Sequence, residues 1–292
     1  MLGLKPATEP EFRLSLLGQH RRVAKADVLA DLPPKVYSVR TVDLPPRWRK
    51  AYDDFESQML AELPDESGEL SVMDVLTQFN LLTRLASSAA DVEVSTAIDP
   101  DTGAEKRHVH LSLKAPSWKI DALLEVLAER CGPNGGERVV AFAPSAQLMK
   151  LAGAAAAAAG YRVGYVVGGQ SSGERTRTVD SFQAGGLDLV CASTGAGGVG
   201  ITLHAARTCV FLQRPWALVE ALQAEDRLHR IGAVHESIEI VDIVARNTID
   251  SRVRAVLRER AGQLADLVQD PRLVAELLGG SAVANHSQRK AS

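Results

Sequence analysis

The chain has 292 residues, 46% hydrophobic and 24% charged, with a formal net charge of −3. That is enough for one large or two modest domains with an apolar core. No apolar run approaches the roughly 20 residues of a membrane span, and the start, MLGLKPATEPEF, lacks the basic-then-apolar pattern of a secretory signal. A cytoplasmic protein with no membrane partner is expected.

The slightly acidic sum announces no polyanion partner, but it constrains only the average. Arginine supplies most of the 33 basic residues, and its planar fork suits phosphate wherever it clusters. Cys131, Cys191 and Cys209 form no Cys-x-x-Cys pair. Free thiols are expected, rather than a disulfide scaffold or a zinc site.

Residues 1–112 read as an N-terminal lead-in segment with a helical insertion. Pro33-Pro34 and Pro45-Pro46 interrupt it. Helices are predicted near Pro46–Leu63 and Ser71–Ala86, then a polar turn, DPDTGAEKRH, and a short strand, HVHLSL. His108 and His110 would share one face of that strand, but no third ligand accompanies them, so no metal is expected.

Residues 113–262 alternate between strands and helices. RVVAFA, YRVGYVV, LDLVCAS, TCVFLQ and IEIVDIVA are short, rich in β-branched residues and apolar without strict alternation, as strands covered on both faces should be. Helices are predicted between them at Ser117–Glu129, Ser145–Ala159, Gly173–Gln183, Gly198–Ala206 and Val219–Arg230. The run Ala154–Ala159 fits a helix lying close on a sheet. This is an α/β pattern, a parallel sheet flanked by helices, with ligands expected at the C-terminal strand ends. After Thr248 an arginine-rich helix (Arg252, Arg254, Arg258, Arg260) follows. Residues 263–292 read as the end of a C-terminal helix and a disordered tail, GGSAVANHSQRKAS.

Two stretches carry chemistry. STGAGGVGITLHAA (Ser193–Ala206) follows a strand, and its glycines at 195, 197, 198 and 200 leave backbone N–H groups open. Such a turn can cradle a phosphate or can simply pack tightly. QAEDRLHRIG (Gln223–Gly232) sets Arg227 and Arg230 three apart, neighbours on one face of a helix. Two guanidinium groups aimed together suit a polyphosphate. Alternatively they belong to a solvated face paired with Glu220, Glu225 and Asp226. His229, between them, reads as a helix-face residue.

In this order, Ser193–Gly232 resembles the fifth and sixth helicase motifs of the Swi/Snf family of DNA translocases in helicase superfamily 2. HRRVAKADVLADLPPK (His20–Lys35) resembles the family's segment leading into its second lobe, and SWKIDALLEVL (Ser117–Leu127) that lobe's first helix. VGGQSSGER (Val167–Arg175), followed by Phe182, resembles the turn and helix after its second strand. Trp216 stands seven residues before Gln223, as the family's tryptophan stands before its glutamine. The resemblance covers roughly residues 12–262 and implies a RecA-like fold, the second lobe of a motor that faces a first lobe across an ATP cleft. It implies that Arg227 and Arg230 are arginine fingers and that Gln223 orders the γ-phosphate or attacking water. Gly197, Gly198, Gly200 and Asp226 would border the nucleotide. Ser145, Gly168, Gly169, Ser193, Thr194 and Trp216 would lie along double-stranded DNA. The sequence departs from the family pattern at Gly195, Thr202, Ala143-Pro144, Val167 and Ala233.

A P-loop needs Gly-Lys followed by Ser or Thr, and no glycine in this chain precedes a lysine. The sole Asp-Glu pair, Asp65-Glu66, lies in a polar stretch rather than at a strand end. ATP and Mg²⁺ would therefore be held mainly by a separate P-loop-containing first lobe, and the chain alone is expected to be inactive. A split motor and a fragment of a longer one both fit. The alternative is a non-catalytic DNA-binding or regulatory module built on such a lobe.

Overall fold

The computed structural model describes residues 32–61, 72–98, 105–132, 136–197, 200–230, 232 and 235–267. The expected disordered tail, Gly198 and most of the His20–Lys35 segment lie outside the described residues, as does the side chain of His108.

Eight strands and seven helices are described. In chain order they are β1 (Lys35–Val42), α1 (Pro46–Ala61), α2 (Val72–Leu85), β2 (Ala89–Ile98), β3 (Glu105–Lys114), α3 (Trp118–Cys131) and β4 (Val139–Ala143). Then come α4 (Ala146–Ala158), β5 (Val163–Val166), α5 (Ser172–Gln183), β6 (Leu189–Ser193), β7 (Thr208–Phe211), α6 (Leu218–Glu225), β8 (Ile238–Ala245) and α7 (Ile249–Leu267). The main sheet has six strands in the order β1-β8-β7-β4-β6-β5, all parallel. β2 and β3 form a separate antiparallel ladder.

Alternate residues of the central strands feed two apolar layers, as a sheet covered on both faces requires. Val139, Ala141, Leu189, Cys191 and Val210 face α1–α4 and α7, with Leu82, Leu123, Leu148 and Leu257. Val140, Phe142, Val190, Ala192 and Cys209 face the other layer, with Phe182 of α5, Leu203 and Leu228. Three helices start on serine caps. The hydroxyls of Ser117, Ser145 and Ser171 accept from Ile120, Leu148 and Glu174 N–H, and Glu174 completes a capping box.

Three expectations need correction. The chain between Gly198 and Ala206 is not a helix where it is described: a four-residue 3-10 turn, Thr194–Gly197, follows β6, and residues 200–203 are irregular. Glycine and β-branched residues are poor helix formers, which accounts for this. The Val219–Arg230 helix stops at Glu225, so Arg227 and Arg230 sit on a turn beyond it. Finally, the lead-in segment supplies β1, which pairs in parallel with β8 along its whole length, so the main sheet draws on both stretches.

Candidate functional site

Because the six strands are parallel, their C-terminal ends share one edge of the sheet. Across it, from β5 to β7, lie Gly168-Gly169, Ser193-Thr194, Pro144-Ser145 and the Leu212–Trp216 loop. Gly169 has φ +86°, a left-handed conformation that glycine takes without strain. The winding reverses between β4 and β7: the chain leaves β4 toward β5 but leaves β7 toward β8. A crevice is expected at such a reversal, and a cavity of about 260 Å³ opens there. Its walls include Thr83 and Arg84 of α2, Ser145 after β4, and Gln213, Arg214 and Trp216 after β7. The N–H groups at Arg84 Nε, Arg214 Nη2 and Trp216 Nε1 are buried and have no hydrogen-bond acceptor among the described residues. Burial lowers the Arg84 pKa from the usual arginine value. Trp216 is half-buried, stacked on Phe79 at 5.3 Å between centroids. Its carbonyl accepts from Arg260 Nη1 at 2.9 Å.

The second part of the site is built by the turn after α6. Leu203 N–H donates to the Arg227 carbonyl (2.9 Å), tying this turn to the irregular 200–203 stretch. Arg230 folds onto the same stretch: Nη1 donates to Thr202 Oγ1 (2.8 Å) and lies 3.4 Å from the Gly200 carbonyl, while Nε donates to the Asp226 carbonyl (3.1 Å). Arg227 Nη1 reaches the Ile201 carbonyl at 3.5 Å. Burial first, and then the charge of Arg230, lower the Arg227 pKa, with Asp226 opposing. Thr194 Oγ1 donates to Glu220 of α6, which joins the turn after β6 to the same helix.

Beneath this turn is a buried ion network. The carboxylate of Glu225 is wholly buried. It accepts from Arg214 Nη1 (2.6 Å), Tyr37 Oη (2.9 Å) and Lys35 Nζ (3.1 Å). Arg214 Nε also donates to Asp242 Oδ1 of β8 (2.7 Å). Burial by itself would lower the Arg214 pKa, but Asp242 and Glu225 outweigh it and raise it.

The helicase conserved C-terminal domain family matches residues 118–232. Over 243 residues, 82% of this chain, the sequence is 28% identical to the DNA annealing helicase and endonuclease ZRANB3 of Mus musculus, and it spans 20% of that protein's length. The C-terminal part of the Fun30 ATPase domain matches with TM-score 0.59 at 17% identity, over 77% of this chain and 89% of that one. The SWI2/SNF2 ATPase core of Sulfolobus solfataricus in complex with double-stranded DNA matches with TM-score 0.59 at 16% identity, over 92% and 56%. Residues 118–232 thus carry a helicase conserved C-terminal domain, and the chain has the fold of SWI2/SNF2 ATPase C-terminal lobes. Its parallel sheet is the RecA-like sheet of such lobes.

Within the lobe, Arg227, Arg230, Asp226 and Gly200 come together. So do Ser145 and Trp216, around the cavity. Gln223 is exposed on α6, two residues before Glu225. Ser193 is buried at the end of β6, Gly197 closes the 3-10 turn, and Gly168-Gly169 stand exposed at the far edge of the sheet. Thr202, where the family carries asparagine, accepts from Arg230. Sequence reasoning misses Lys35, Tyr37, Arg84, Arg214 and the buried role of Glu225. The charged Arg214 inside the apolar run TCVFLQRPW is the one visible signal. Cys191 and Cys209 are buried free thiols, and Cys191 is pushed up to about 12 by burial. Among the described residues, no group of His, Cys, Asp and Glu could hold a metal, and no helix is long and apolar enough to cross a membrane.

Proposed function

We propose that this lobe is the second half of an ATP-dependent double-stranded-DNA translocase, with Arg227 and Arg230 as its arginine fingers. The observation that carries the reading is the pairing of those two guanidinium groups on the Gly200–Thr202 stretch. Arg227 reaches the Ile201 carbonyl and Arg230 the Thr202 hydroxyl, and burial first, then the charge of Arg230, lowers the Arg227 pKa. Such a pair gains most from a polyanion, and phosphoryl transfer spreads negative charge over oxygens that arginine can neutralise. Gln223, exposed on α6 just before the turn that carries the arginines, would orient the attacking water, with Gly197, Gly198, Gly200 and Asp226 at the nucleotide's edge. A P-loop lysine and a metal-holding acidic pair would come from a first lobe, since this chain has no Gly-Lys step. Mg²⁺ held there would neutralise the β- and γ-phosphate oxygens.

The DNA path follows the strand ends. Gly168-Gly169, Ser193-Thr194, Ser145 and Trp216 stand at the C-terminal ends of four adjacent strands, which at sheet spacing span about 14 Å. The Sulfolobus relative is a double-stranded-DNA complex.

The test is DNA-stimulated ATP turnover by this chain joined to a P-loop lobe, in trans or fused. Arg227→Ala and Arg230→Ala should each lower kcat by roughly 10³-fold or more, with the fold intact. Lysine should rescue poorly, because an ammonium cannot reproduce the bidentate fork. Wild-type kcat in both alanine variants would refute the assignment. The chain without that lobe should show no turnover.

A further inference from the structure

We infer that Lys35 and Tyr37 are positioning residues for the finger turn, so that the strand through which the chain joins the lobe sets the geometry of Arg227 and Arg230. The inference rests on the finger reading above and adds the residues that hold the fingers in place.

α6 ends at Glu225, and both arginines lie on the turn beyond it, whose backbone bonds run back to the helix end: Asp226 N–H to the Leu222 carbonyl and His229 N–H to the Glu225 carbonyl. Those bonds give the turn its shape, and side chains from β1 fix where its first residues sit. Glu225, the last helical residue, is buried with a carboxylate that must be compensated. Two of its three donors, Lys35 Nζ and Tyr37 Oη, project from β1. Lys35 also reaches Asp226 Oδ1 at 3.5 Å. His229 Nε2, between the fingers, donates to the carbonyl of Pro33 at 2.9 Å. Lys35 and Tyr37 thus hold the end of the helix at Glu225, and Lys35 and Pro33 touch the turn itself at Asp226 and His229. The third donor, Arg214, anchors the same carboxylate to Asp242 of β8, the neighbour of β1 in the sheet.

The energetic argument is one of alternatives. A buried carboxylate has few tolerable positions, each requiring all its donors. Moving β1 relative to β8 would strand Glu225, so the turn must follow β1. Such a brace gives the precision that transition-state contacts need, where about 1 Å of misplacement can cost on the order of 100-fold in rate.

Two measurements test this. In the isolated chain, Lys35→Met and Tyr37→Phe should each raise amide hydrogen exchange in residues 226–230 and leave β4 and β6 unchanged. In the motor joined to its P-loop lobe, the same variants should lower kcat roughly 10- to 100-fold at near-normal KM for ATP and near-normal DNA affinity. Lys35→Arg should restore most of the rate. Tyr37→Phe removes a single hydroxyl and so disturbs the fold least. Unchanged exchange in 226–230 overturns the brace. A loosened turn with normal kcat, in a motor that Arg230→Ala inactivates, shows a purely structural contact and also overturns it. If Arg230→Ala itself turns over normally, the finger reading fails and takes the positioning role with it, while the exchange data still report whether β1 holds the turn.

Discussion

At the scale of single residues, one side chain can serve structure and ligand at once. Ser145 faces the cavity between β4 and β7 and is also the N-cap of α4, its hydroxyl accepting from Leu148 N–H at 3.2 Å. A cap of this kind stabilises by about 1 kcal/mol. Ser145→Ala should therefore lower the unfolding free energy by about that much in a urea titration. It would weaken DNA binding for two entangled reasons. Ser145→Asp separates them, because aspartate caps as well as serine and complements the helix dipole, yet repels a phosphate. Retained stability with weakened DNA affinity is the expected result. Unchanged affinity in Ser145→Asp would leave Ser145 as a cap alone. In the sequence, Arg227, Arg230 and Gly200 are legible as a group only through the resemblance of their two stretches to the motifs of one family. Lys35, Tyr37, Arg214 and Glu225 are not legible together, since hydrogen bonds at separations of 188 and 190 residues leave no local pattern.

At the scale of elements, periodicity and caps carry the reading where burial is two-sided. β4 and β6 are buried throughout and β8 at all but Glu239, and α3, α4 and α5 begin at capping serines. They fail where tertiary contacts decide. β1 is an edge strand with Val36 and Val39 exposed, and its partner lies some 200 residues on. The 226–230 turn is held by contacts to 200–203 that override the helical continuation its sequence allows. The alanine run in α4 divides by face. Ala152 and Ala156 are fully buried, whereas Ala154, Ala157 and Ala158 are exposed. Beside them a Cβ on Gly153 would meet the Tyr165 ring at 2.4 Å, so this helix lies as close to the sheet as its side chains permit. Ala156→Leu should overpack that layer and cost roughly 1–3 kcal/mol. Ala157→Leu, on the open face, should change stability by no more than about 0.5 kcal/mol. Equal tolerance of both in denaturant titrations would refute the close packing and leave helix propensity as the run's whole purpose.

For the molecule as a whole, the balance of charge limits how DNA can be held. With a net charge of −3 there is no general attraction to a polyanion, so the proposed binding of DNA would depend on a few local contacts. The arginine-rich helix α7 offers fewer than its sequence suggests. Arg254 lies 3.0 Å from Asp242, Arg260 is turned to the Trp216 carbonyl, and Arg246 at the end of β8 lies 3.3 Å from Asp43. Some three phosphate contacts along the strand ends are then a reasonable footprint. Each contact releases counterions, so log K should fall against log salt with a slope of about −2.7, and affinity should drop roughly 40-fold between 50 and 200 mM salt. Duplexes of different sequence should bind alike, since phosphates carry no sequence information. Fluorescence anisotropy with two unrelated duplexes across that salt range measures both properties. A flat salt dependence would mean that the duplex is not held through its phosphates along the strand ends. A preference of tenfold or more for one duplex would require contacts to base edges, and with them a recognition element beyond the turns at Gly168, Ser193, Ser145 and Trp216.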